Sequence, residues 1–255
     1  MTVSLTLTAL DGVPTIEADH DLVEMIAAAL ERSDLQLRDN DVLILAQKIV
    51  SKAEGRAVSL STVTPSPRAR ELAAQSEKDA RVVELILRES TEVLRCRPGA
   101  LIVVHRLGLV LANAGIDASN VEAGDGQETV LLLPANPDAS AASLRSRIRE
   151  SLGVDVGIII NDSLGRAWRL GTIGTAIGIA GLPGLLDLRG SPDRTGRPLR
   201  ATEVGIADEA AAAASLLMGQ AAESHPIVHI RGFPYAPRPG TAAELIRPKR
   251  MDMFR

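Results

Sequence analysis

The segment Val154 to Ile160 is dominated by apolar and β-branched residues and is bounded by Gly153 and Asn161. Such a run reads as a buried strand covered on both faces, and its carboxyl end delivers Asp162. Other elements have to pack above and below it. Upstream, Val3 to Leu7 alternates apolar and hydroxyl residues, as a strand with one wet face does, and Asp11-Gly12-Val13-Pro14 makes a turn. Leu22, Met25, Ile26, Ala29 and Leu30 mark one face of a helix capped by Asp19 or Asp21, and Val42 to Leu45 is a short buried strand. A polar segment, Ser51 to Arg56, comes next.

Ser66 with Pro67 opens a further helix, and another is expected from about Asp79 to Leu94, burying Val82, Val83, Leu85, Ile86 and Val93. Leu101 to Val104 and Leu107 to Leu111 read as strands joined by a turn at His105-Arg106. Asp138 is the expected cap of a helix from Ala141 to Leu152 that Gly153 ends. Thr202 or Glu203 to Gly219 reads as an alanine-rich helix, and Ile227 to Ile230 as a last strand before a Pro/Gly-rich tail. Without an internal repeat or a flexible linker, this mixture of hairpins and strand-helix units predicts an α+β chain of two intimately packed mixed α/β subdomains.

A chain of 255 residues can bury a large core, and 45% hydrophobic with 24% charged residues is a globular composition. The net charge of -4 argues against binding nucleic acid through its phosphates. The single cysteine, Cys96, and the lack of a basic-then-apolar leader make the cytoplasm the expected compartment. Leu170 to Leu186 approaches the roughly 20 residues that span a bilayer. Its five glycines, Pro183, Thr172 and Thr175 suit a close-packed interior or a loop near a ligand instead, so no membrane span is expected. At 2% aromatic residues, stacking on exposed rings is not the expected mode of nucleotide recognition.

Asn161-Asp162-Ser163 lies where ligands of α/β sheets bind, beyond a strand's carboxyl end. Asp162 and the Ser163 hydroxyl are hard oxygen donors suited to magnesium or manganese on nucleotide phosphates; they equally suit a turn or a helix cap. Asp117, in the oxygen-rich stretch Asn113 to Asn120, is either a second ligand or part of an Asn/Gly/Asp turn. Lys48 and Lys52, Arg166 and Arg169, and Arg194, Arg197 and Arg200 could meet phosphates, although most such side chains only solvate a surface. There is no G-x-x-x-x-G-K-[ST] loop and no G-x-G-x-x-G, and the four histidines and lone cysteine lack zinc spacing. A P-loop, a Rossmann site and zinc or thiol chemistry are not expected.

Four blocks carry a resemblance: Val50 to Arg56, Asn113 to Val121, Ile158 to Trp168, and Ala207-Asp208-Glu209 through Met218-Gly219, with Val228 to Gly232 as a fifth. In order and spacing they resemble the F-420:γ-glutamyl ligase family over nearly the whole chain. The resemblance implies a GTP-dependent ligase that adds L-glutamate to the carboxyl group of an F-420-0 deazaflavin precursor through an acyl phosphate. It implies a single ligase domain over residues 1–255, no C-terminal flavin reductase domain, and a homodimer with its cleft near the subunit interface. Asp117 and Asp162 would hold one divalent cation, Mg2+ or Mn2+. Ser163 and the Met218-Gly219-Gln220 segment would help hold a second, with a monovalent ion such as K+ besides.

By the same resemblance, GTP contacts fall on Val13, Pro14, Thr15 and Ile16, on Gln47, Lys52 and Asn120, and on Met218, Gly219, Gln220, Ala221, Ala222, Glu223, Ser224 and His225. Lys52, Arg166 and Arg169 are the expected catalytic cations. Ser163 stands for a common threonine, Gln47 for a small hydroxyl residue, and Gln220 where some relatives carry a carboxylate. Two rival readings are another metal- and nucleotide-dependent carboxylate-amine ligase and a non-catalytic nucleotide-binding dimer module.

Overall fold

Side-chain caps and strand pairing set the elements in turn. In the computed structural model, which describes residues 3–18, 20–117 and 128–253, β1 spans Thr6–Ala9 and α1 spans Leu22–Arg32. The Asp21 carboxylate accepts the Val23 and Glu24 amides and so caps α1; Asp19 lies outside the described residues. β2 (Val42–Ala46) runs directly into α2 (Gln47–Ala53). Then come β3 (Ala57–Ser59), α3 (Pro67–Ser76), α4 (Ala80–Arg88), β4 (Ser90–Arg97), β5 (Ala100–His105), β6 (Val110–Ala112) and β7 (Thr129–Leu131). α5 (Pro137–Leu152), β8 (Gly157–Arg166), β9 (Arg169–Ala180), β10 (Leu186–Asp187), β11 (Glu203–Val204), α6 (Ile206–Met218) and β12 (Ile227–Arg231) complete the order.

The main sheet has the order β1-β12-β2-β8-β9, with β2 and β8 parallel and the other pairs antiparallel. β1, β2 and β8 therefore point the same way, and their carboxyl ends share one end of the sheet with the start of β12. One face packs on α1 and α5 through Ile26, Leu43, Leu45, Ile148, Ile158 and Ile160. The other packs on α6 through Ile44, Ile159, Ala176 and the alanines of that helix. A second packing centre joins α3 and α4 to the β4-β5-β6 sheet, and Leu60, Leu85, Val130 and Leu132 extend it to β7. The fold is α+β, of mixed sheets and helices, and not a P-loop or Rossmann arrangement. Among the described residues no helix is long and apolar enough to cross a membrane.

Several expectations are corrected. The helix expected to reach Leu94 stops at Arg88, and Ser90–Arg97 is β4, because Val93 and Cys96 find strand partners in Val103 and Leu101. α2 starts at Gln47 without any side-chain cap and runs as far as Ala53, into what read as a polar segment, Ser51 to Arg56. Asn136, not Asp138, caps α5. The Asp138 carboxylate instead accepts the amides of Ile179 and Ala242, and Asp208 from the first turn of α6 accepts that of Ala176. Two amides on the outer edge of the sheet are thus satisfied by helix aspartates.

The glycine-rich stretch after Leu170 is mostly β9, and its glycines mark where helices approach. A Cβ on Gly174 would collide with the Ala211 carbonyl of α6, and one on Gly178 with Pro137 at the start of α5. A register shift between Ile160 and Asn161 turns Ile177 and Gly178 to the α5 face together, so one strand serves both helices.

Candidate functional site

At Ala46, which pairs with Asn161, β2 ends. β8 does not end there: it continues through Asp162 to Arg166, paired only with β9. Asp162 thus sits where β8 leaves the parallel part of the sheet, half-buried, with its carboxylate accepting the Ser163 amide at 2.8 Å. Burial foremost, with the Asp117 charge adding to it and the Ser163 amide and the Lys48 ammonium opposing, leaves its carboxyl pushed up to about 6.

Asp117 reaches this place from the smaller sheet system. Its backbone pairs with Leu131 of β7 in an isolated bridge, and its carboxylate lies 2.5 Å from the Lys48 ammonium of α2. Two carboxylates remote in sequence therefore converge beside one lysine. The donors are hard oxygens, Asp117, Asp162 and the Ser163 hydroxyl, and the Asp162 carboxyl, raised by burial first and by the Asp117 charge after it, is one whose ionised form a divalent cation would favour. Among the described residues no cluster of three or more carboxylates, histidines or cysteines suits a metal, so phosphate oxygens would have to complete such a site.

Around these residues lie the loops that leave the same end of the sheet. Leu10 at the end of β1 donates its amide to Ile227, and Ala46 donates to Pro226, which draws the 10–16 and 218–226 segments together at the start of α2. His225 Nε2 stands 3.4 Å from the Asp11 carboxylate, a second link between those segments. Val13 is half-buried, Ile16 is buried, and Pro14 and Thr15 are exposed. Gln47 is buried at the first position of α2, its amide oxygen accepting the Ser51 hydroxyl at 2.9 Å, and Lys52 follows Lys48 by one turn on the same helix face.

Asn161, 4% exposed, points its amide nitrogen at the Ser215 hydroxyl, 3.0 Å, and the Met218 sulfur, 3.4 Å. It ties the end of α6 to the strand that carries Asp162. Past Met218 the chain turns at Gly219, φ +72, and residues Gln220 to Ser224 are exposed, with Glu223 accepting the Ala221 amide at 2.8 Å. Asn120 lies outside the described residues, as does all of 118–127.

The family model described as F420-0:Gamma-glutamyl ligase matches residues 12–232. The chain belongs to this family. Coenzyme F420:L-glutamate ligase of Methanothermobacter thermautotrophicus is 42% identical over 253 residues, covering 98% of this chain and 99% of the relative. The protein of the same name from Methanopyrus kandleri is 47% identical over 259 residues, covering 96% and 99%. As an F420-0:gamma-glutamyl ligase family member the chain is an enzyme of the ligase class.

Within this ligase family framework, the residues singled out from sequence fall into two groups. Asp117, Asp162, Ser163, Gln47 and Lys52, with the 13–16 and 218–225 segments, lie on the elements that converge at one end of the sheet. Arg166 and Arg169 do not: they pair with each other at the far end of the β8–β9 ribbon, about 13 Å of strand beyond Asp162 at roughly 3.3 Å per residue. Sequence reasoning missed the Lys48–Asp117 ion pair and the Asn161–Ser215 tie. Lys48 had a signal in following a buried strand, whereas the pairing itself has none, since the partners are far apart along the chain.

Proposed function

We propose that this chain joins L-glutamate to the carboxyl group of F420-0 at the expense of GTP, through an acyl phosphate, releasing GDP and phosphate. Similarity over almost its full length to two proteins named as coenzyme F420:L-glutamate ligases carries this reading. The convergence of Asp117, Asp162, Lys48 and the 13–16 and 218–225 segments at one end of the sheet supports it.

A carboxylate is a poor electrophile at neutral pH, so one oxygen must first become a leaving group. The acceptor carboxylate attacks the γ-phosphorus, the bond to the GDP oxygen breaks, and an acyl phosphate forms. The glutamate amino group then adds to the acyl carbon, loses a proton, and displaces phosphate. Lys52, with Lys48 one turn before it, brings positive charge toward the transferring group, and Gln47 and residues 13–16 and 218–225 hold the nucleotide. Asp117 and Asp162 would hold one Mg2+ or Mn2+, and Ser163 with Met218, Gly219 and Gln220 a second, alongside a monovalent ion such as K+. When bound, such cations neutralise charge on the triphosphate oxygens. The working form in this reading is a homodimer with the cleft beside the subunit contact.

The test is incubation with purified F420-0, GTP, a divalent cation and L-glutamate, followed by mass analysis of the acceptor. The expected product is heavier by one glutamyl residue, with further γ-linked additions as equal steps, and phosphate release that needs both acceptor and glutamate. Release independent of both identifies a plain GTPase. An unmodified deazaflavin sinks the substrate assignment.

A further inference from the structure

We infer that Lys48 is an internal rival of the divalent cation for Asp117: its ammonium guards the carboxylate pair, and nucleotide phosphate has to draw it off before Asp117 and Asp162 share a cation tightly. The inference deepens the function proposed above. It rests on the cation-binding part of that reading and not on glutamate or the deazaflavin.

Lys48 is the second residue of α2, and its ammonium lies 2.5 Å from the Asp117 carboxylate. Its charge also acts on Asp162, the other member of the pair. This placement does not serve the helix. The first turn of α2 holds no acidic residue, and a cation there meets the positive end of the helix dipole. The contact is also more than a solvated surface pair, since the Asp117 side chain is 19% exposed and the Lys48 side chain 38%. One lysine is therefore held against two acids at the point where the small sheet system meets the main one.

Counting charges separates two arrangements. With both acids ionised, Asp117, Asp162 and Lys48 sum to one negative charge. A divalent cation added with the lysine in place turns that into one positive charge, whereas the same cation with the lysine withdrawn leaves the group neutral. Distance sharpens the difference. A divalent ion lies about 2.1 Å from a carboxylate oxygen, so it would stand about 4–5 Å from an ammonium on the same carboxylate, where partial burial weakens screening.

The lysine has a second place to go. Its charge sits on a flexible stem, and the start of α2 is where the 10–16 and 218–226 segments are drawn together. Triphosphate oxygens held between those segments receive the ammonium and leave both carboxylates to the cation. Cation and nucleotide then bind with positive coupling, each tightening the other by the same factor.

Mn2+ alone is the probe, added to the full-length protein without nucleotide, acceptor or glutamate, and its free fraction is read by electron paramagnetic resonance. Lys48→Met, which keeps the stem and removes the charge, should bind Mn2+ roughly tenfold more tightly than the parent. Lys48→Gln should do the same, and Lys48→Arg should stay at the parental affinity. Asp117→Asn added to Lys48→Met should abolish the gain, and the rise of the thermal midpoint with Mn2+ should follow the affinities. Saturating GDP should narrow the gap between parent and Lys48→Met, because phosphate then does for the parent what the substitution does for the variant.

Parental or weaker Mn2+ binding by Lys48→Met and Lys48→Gln overturns the inference, as does a gain that survives Asp117→Asn or appears equally in Lys48→Arg. A gap that GDP leaves unchanged removes the role given to phosphate. Tightened Mn2+ binding in a protein that forms no amide leaves the rivalry standing and removes only the proposed reaction.

Discussion

Asp162 is placed where its own charge is disfavoured, by burial first and by the neighbouring Asp117 second, with Lys48 and the Ser163 amide as the offsetting groups. A carboxyl held that way is poised to be ionised by a cation rather than to stabilise the fold. Asp162→Asn keeps the shape and removes the charge. Ligation should fall at least a hundredfold, an order of magnitude typical of losing one electrostatic contact to a transition state, while the thermal midpoint without metal at pH 7 stays level or rises. Steady-state ligation and thermal melts check both halves; a variant with parental turnover removes Asp162 from the site. The residue was legible in sequence as an oxygen donor after a buried strand. That Asp117 and Lys48 stand beside it was not, because nothing local to either residue encodes the approach.

At the scale of elements, β9 is held between α5 and α6 by glycines at the two points of closest approach. Gly174→Ala would drive a methyl group into the Ala211 carbonyl, backbone that cannot rotate away. The helix has to shift, at a cost of about 2 kcal/mol. Because Asn161 ties Ser215 and Met218 to β8, the shift should reach the 218–225 segment as well. The expected result is a thermal midpoint lower by roughly 5 °C and a higher KM for GTP. A variant that loses stability with nucleotide affinity intact separates α6 from the nucleotide. The glycine spacing was visible in the sequence, and a close-packed interior was one of two readings it allowed. Only the positions of both helices decide between them.

Across the whole molecule, Glu89 at the end of α4 links the second packing centre to the main one. Its carboxylate receives Arg56 at 3.2 Å and Arg106 at 2.9 Å and faces buried His105, while Arg56 and Arg106 donate onward to the carbonyls of Leu133 and Ala135 on the way to α5. Burial pushes Glu89 up, but the adjacent His105 ring, the hydrogen bond from Arg106 and the charges of Arg106 and Arg56 outweigh it, leaving the carboxyl at about 2. A folded value below the ordinary 4.5 means stability that is complete above pH 4.5 and is lost as pH falls toward 2. Glu89→Gln should therefore lower stability at pH 7 by up to about 3 kcal/mol, and the gap to the parent should close between pH 4.5 and 2. Urea unfolding at a series of pH values measures it; a gap independent of pH would assign the loss to packing alone.

What the sequence by itself determined were features set within a few residues: the strands around Val42 and Ile158, the Ser66 cap, the alanine-rich α6, and the ordered motifs that carry the family. Each depends on local hydrophobic period, capping chemistry or residue identity, and these survive without knowledge of distant partners. Tertiary structure decided that Ser90–Arg97 is a strand, that α2 forms without a cap, and that β8 runs past Asp162 into an exposed ribbon. It also decided that Asp117 crosses from another sheet to meet Lys48 and Asp162. Strand pairing, burial and the meeting of charges are relations between remote segments, and their free energy exists only once both partners are in place.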